Sequence, residues 1–201
     1  MKKSLLFLPL VLIAALALSA CGGGGSSSSG SDEEGAIVET IEKSATTSDA
    51  SKCTELQTQA FNEQEKATSG KEATEICEEE AEEENAPAKS VEVSNVNVEG
   101  EKATAEATIG GSALNGQTVE LELVEEEGDW KLNQFLQFTK FSAKALGESF
   151  ENEFDAAEQE VSPALAKCIG EGIGKLSQKE AEAVAFEGDL EIIEGIAGNC
   201  Q

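Results

Sequence analysis

The spacing of apolar positions changes period twice along the chain. From Ala36 it is helical: Ile37, Val38, Ile41 and Ala45 share one face, opposite Glu39 and Glu42. A second helical patch holds Leu56, Ala60 and Phe61. A third opens at Ser69-Gly70-Lys71-Glu72, the order of a capping box, and runs through Ala73, Ile76, Cys77 and Ala81 toward Pro87. Beyond Pro87 the period becomes two. Val91 and Val93, then Val96 and Val98, alternate with polar residues, and the slip between the pairs predicts a bulge at Ser94-Asn95. Ala103, Ala105, Ala107 and Ile109 alternate with Thr and Glu, and Val119, Leu121 and Leu123 alternate with Glu120 and Glu122. Trp130 and Leu132 open a fourth strand that runs toward Phe135. The turns fall at Glu99-Gly100-Glu101, from Gly110 to Gly116, and from Glu125 to Asp129.

From Phe138 the spacing reads as helical again, through Phe141, Ala145, Phe150, Phe154, Ala157 and Val161. Ser162-Pro163 restarts a helix, with Ser as N-cap and Pro in the first turn, whose buried side carries Leu165, Ile169, Ile173 and Leu176. Ser177-Gln178-Lys179-Glu180 is a second capping box, and Asp189 caps a last helix through Leu190, Ile193, Ile196 and Cys200. The fold class is therefore α+β: three helices, a four-stranded antiparallel meander, then a small all-helical module. A meander with one apolar face must be covered, and the preceding helices are the available cover.

This order, closing on Gly128-Asp129-Trp130-Lys131-Leu132, resembles the nuclear transport factor 2-like, ketosteroid isomerase-like superfamily over roughly residues 36–138. More narrowly, the Cys53/Cys77 placement is similar to exported bacterial lipoproteins in which a Cys pair staples the helices. The resemblance implies a cone of helices against a curved sheet, with a pocket between them. Val93, Ala105, Leu121 and Trp130 are the pocket-lining candidates. The small side chains of the Ala-rich strand leave the size of that interior open. Isomerase-type members use a buried carboxylate base with Tyr or a protonated Asp as oxyanion donors. This chain contains no Tyr, and no Asp matches that motif.

The first twenty residues are an address. Met1-Lys2-Lys3, an apolar run from Leu5 to Leu18 and the small pair Ser19-Ala20 describe an export signal too short for a permanent membrane span. Leu18-Ser19-Ala20-Cys21 resembles the lipobox of bacterial lipoproteins, which implies a lipid on Cys21 and a mature chain beginning there. Residues 21–35 read as a Gly/Ser-rich tether with a reach of roughly 20 Å. The chain thus divides into a signal (1–20), a lipidated Cys and tether (21–35), the α+β domain (36–138) and the helical module (139–201).

Composition narrows the function. The chain has 201 residues, 14 cationic side chains (all Lys), 40 acids, no His and a net charge of -26. Such a surface repels phosphate backbones, so nucleic acid is not a partner. Without His there is no His-based catalytic triad and no His-ligated zinc. Setting Cys21 aside leaves four Cys, which permit three pairings; spacing favours Cys53–Cys77 and Cys168–Cys200, each bracketing one helical region. The acidic run Glu78 to Glu84 lacks the spacing of a Ca²⁺ loop and reads as a solvated helix end. No cofactor and no catalytic residue is expected. The expectation is a non-catalytic, extracytoplasmic protein, held to a membrane through Cys21 and binding a small apolar ligand or an envelope protein. A carboxylate-dependent enzyme and a structural spacer are the alternatives.

Overall fold

The computed structural model describes residues 29–82, 87–156 and 162–200; the signal, Cys21, Ala157 and Val161 lie outside them. Among the described residues, four helices precede the sheet: α1 Ser29–Thr46, α2 Lys52–Glu55, α3 Gln59–Lys66 and α4 Lys71–Glu82. The strands follow as β1 Ser90–Glu99, β2 Lys102–Gly110, β3 Thr118–Glu126 and β4 Asp129–Lys140, paired antiparallel in the order β1-β2-β3-β4. Four more described helices follow the sheet: α5 Ala143–Ala156, α6 Pro163–Ile173, α7 Gln178–Phe186 and α8 Leu190–Gly198.

Three expectations need correcting at the N-terminal side. α1 begins at Ser29, so residues 29–35 are helical rather than tether. Asp32 lies in its first turn, where a negative charge favours the exposed amides. The expected second helix is split into α2 and α3, because Leu56–Thr58 leaves the helix to pair with β4. The Leu132 amide donates to the Leu56 carbonyl at 2.9 Å, and the Thr58 amide donates to the Leu132 carbonyl at 2.9 Å. The start of α4 uses Gly70, at φ 73°, whose amide donates to the Glu63 carboxylate at 2.8 Å. That arrangement takes the place of the expected Ser69/Glu72 box.

Alternation along β2 and β3 buries the anticipated face: Ala103, Ala105, Ala107, Val119, Leu121 and Leu123 are all buried. The β1 bulge lies where the slip predicted it, between Ser94 and Asn97, with Asn95 at φ 54°. β4 differs most. Three register shifts against β3 insert extra residues, so its inward side chains fall at Leu132, Phe135 and Phe138, three apart. Each bulge bends the strand and adds twist, which curves the sheet. The strand therefore runs to Lys140, and Phe138 belongs to the sheet rather than to a helix.

The bulged edge of β4 is covered along its length. Gln64 on α3 accepts from the Phe135 amide at 2.7 Å and donates to its carbonyl at 3.0 Å. On α7, Glu182 accepts from the Phe138 amide at 2.9 Å, and Gln178 donates to its carbonyl at 2.7 Å. These amide and carboxylate groups stand where a neighbouring strand would, so the edge offers little template for pairing with another chain. Rings continue the contact: Phe135 lies between Phe61 (centroids 4.8 Å) and Phe186 (5.2 Å), and Phe186 meets Phe138 at 4.7 Å.

The C-terminal helices are thus built into the main core. Ile169, Ile173, Ala181 and Phe186 share one buried cluster with the sheet and α1. Their starts follow the expected caps: Ser162 accepts from the Leu165 amide, Ser177 and Glu180 form the reciprocal box, and Asp189 accepts from the Glu191 amide. Cys53 on α2 is bonded to Cys77 on α4, and Cys168 on α6 to Cys200 beyond α8, with Cα separations of 6.0 and 5.8 Å. Two such bonds fit an oxidising compartment outside the cytoplasm. Among the described residues, no helix is long and apolar enough to cross a membrane.

Candidate functional site

Between the helices and the curved sheet lies a cavity of about 270 Å³. Its apolar wall is built by Ile41 and Ala45 of α1, Phe61 of α3, and Leu121, Leu132 and Phe135 of the sheet. The loop after β2 adds Ser112, Ala113 and Leu114. That loop is shaped by Gly111 and Gly116, at φ 80° and 79°, and by the Asn115 side chain, which accepts from the Gly111 amide at 2.8 Å. Gln117 then fixes it to the start of α5. Its side chain accepts from the Ser142 amide at 2.9 Å and donates to the Ser142 carbonyl at 3.1 Å.

Polar groups enter the cavity at two places. In the wall, Gln57 donates to the Ser44 hydroxyl at 2.9 Å, and its Oε1 lies 3.4 Å from the Cys77 sulfur, which carries no proton in the disulfide. Both Gln57 and Ser44 are buried. Elsewhere in the lining, four charged residues meet: Lys52, Glu65, Lys66 and Glu80. Lys66 Nζ lies 2.7 Å from Glu80 and 3.6 Å from Glu65. Lys52 is half-buried, and its Nζ donates to the Thr47 carbonyl at 3.2 Å. Burial pushes the pKa of Lys52 below its ordinary value. Glu65 works against that shift, Lys66 adds to it, and Glu80 opposes it. Among the described residues no group of three or more Cys, Asp or Glu converges as a metal site.

Of the four pocket candidates, only Leu121 lines this cavity. Ala105 is packed solid in the core, and Val93 is half-buried on the edge strand. Trp130 is buried at the far end of β4, beside a more polar surface groove with Glu39, Lys43 and Lys131. The physical reason is the path of α1, which packs on both β1 and β4. Its Thr40 hydroxyl donates to the Trp130 carbonyl at 3.1 Å, closing that end of the cone and leaving the other end hollow. Sequence reasoning missed Gln57, Ser44, Lys52 and Lys66. Ser44 could have been found, since it stands three residues after Ile41 on the buried face of α1. Leu114 could also have been found, as the large apolar side chain in a Gly-rich loop. Gln57 carries no such signal.

No family model and no curated protein matches the sequence. Among solved structures, the chain is similar to a crystal structure of an NTF-2 like protein of unknown function from Silicibacter pomeroyi DSS-3. The two are 18% identical with a TM-score of 0.36, over 54% of this chain and 93% of that one.

Proposed function

We propose that this chain is a non-catalytic binding protein outside the cytoplasm, whose cavity takes a small apolar ligand. The observation that carries the reading is the cavity itself. Its wall is apolar, with few polar groups at defined places, the composition expected of a small-molecule site. Both carboxylates that line it sit within 4 Å of Lys66, which favours a structural ion pair over a carboxylate held alone for proton abstraction. The Leu18-Ser19-Ala20-Cys21 motif supports attachment to a membrane by lipid on Cys21.

Native mass spectrometry of the full chain, extracted gently from its own membranes, tests the binding role. A discrete adduct beyond the lipidated polypeptide is expected. Repeated recovery of the bare lipoprotein would count against binding. Labelled palmitate tests the anchor separately: label should be incorporated by the wild type and lost in Cys21→Ser. Membrane retention of that variant would overturn the anchor and leave the binding reading standing.

A further inference from the structure

We propose that the ligand class is a medium-chain monocarboxylate, with its chain in the apolar cavity and its head against Lys52. This rests on the binding role above and narrows it to one chemistry. The size comes from the cavity volume. At about 30 Å³ for each water-sized group, 270 Å³ holds roughly nine such groups, the scale of an eight-carbon chain with its head.

The head group follows from the charges. Lys66 is already engaged by Glu80 and Glu65. Lys52 is engaged differently: it holds the neutral Thr47 carbonyl, and among the described residues no carboxylate oxygen lies within 4.0 Å of its Nζ. An ammonium has three donors, so at least one remains for a ligand. In a chain of 40 acids and 14 Lys, this lining carries two cations with two anions, far from the ratio elsewhere.

Each other head fits worse. A neutral apolar molecule would bury Lys52 further without compensation. A cationic amphiphile would meet both ammonium groups, and a second carboxylate would find Lys66 already held by Glu80 and Glu65. One carboxylate accepts from the ammonium donors that Glu65 and Glu80 do not reach, in a charge-assisted hydrogen bond.

The test compares octanoate with octanol, binding to the full chain in phosphatidylcholine nanodiscs with empty discs as the blank. Octanoate should bind the wild type at least about tenfold tighter than octanol. Lys52→Met should remove that preference by weakening octanoate while octanol binds no more weakly than before, and Lys52→Arg should keep most of it. Equal affinities in the wild type, or equal losses of both probes in Lys52→Met, would overturn the carboxylate assignment while the apolar site stands. Failure of both probes to bind the wild type would overturn the assignment together with the binding role.

Discussion

Phe186→Ala probes whether the C-terminal helices are part of the main fold. The ring is buried, stacks on Phe135 at 5.2 Å and meets Phe138 at 4.7 Å, so its removal takes contacts from two positions of β4. Truncating a buried Phe costs about 3–5 kcal/mol, ring-ring attraction included. With a urea dependence of about 2 kcal/mol per molar, the midpoint should fall by roughly 2 M. Trp130 is a well-placed reporter because it is the one Trp and lies at the opposite end of β4 from Phe138. Its fluorescence and the helical ellipticity should move together to the lower midpoint. If the Trp130 transition stayed in place while the helical signal melted early, the C-terminal helices would be a separate folding unit, and the shared core described above would be wrong.

Other outcomes follow from local features. Gly147→Ala should destabilise despite the better helix propensity of Ala, since a Cβ there collides with the Gly170 carbonyl where α5 and α6 touch. Overpacking of about 1–3 kcal/mol outweighs a gain of at most about 1 kcal/mol, lowering the melting temperature. Replacing Cys53 and Cys77 together by Ser should cost about 2–4 kcal/mol in urea unfolding under oxidising conditions, and unchanged stability would show that the bond adds no constraint. Lys52 gives a pH signature. Burial lowers its folded pKa below the ordinary 10.5, so its charged form opposes folding at lower pH, and this penalty is relieved as pH rises through the folded value toward 10.5. Relative to Lys52→Met, the wild type should therefore gain stability over that window. A difference independent of pH up to 10.5 would refute it.

Much of the fold is legible wherever local chemistry and periodicity agree. Ala103 to Ile109 and Val119 to Leu123 alternate without interruption, and both strands form as read. Ser162-Pro163, Ser177/Glu180 and Asp189 mark helix starts because each cap is satisfied within a few residues. β4 misleads for a physical reason. Its bulges respace Leu132, Phe135 and Phe138 by three, which mimics a helix in sequence, while the partners that hold those bulges come from Gln64, Gln178 and Glu182, distant in the chain. The site was legible only in part. Alternation says that Ala105, Leu121 and Trp130 face the same way, but not which end of that face α1 closes. Gln57 is drawn inward by the Leu56–Thr58 pairing to Leu132, a tertiary contact that no nearby residue encodes.

The central claim is that the hollow between α1, α3 and the sheet holds an apolar ligand. A crystal structure of protein purified gently from the cells that make it tests it most directly. Continuous non-protein density between Phe61, Leu121, Leu132 and Phe135, reaching toward Lys52, is the predicted result. A hollow closed by these side chains, or one holding ordered water alone, would contradict it.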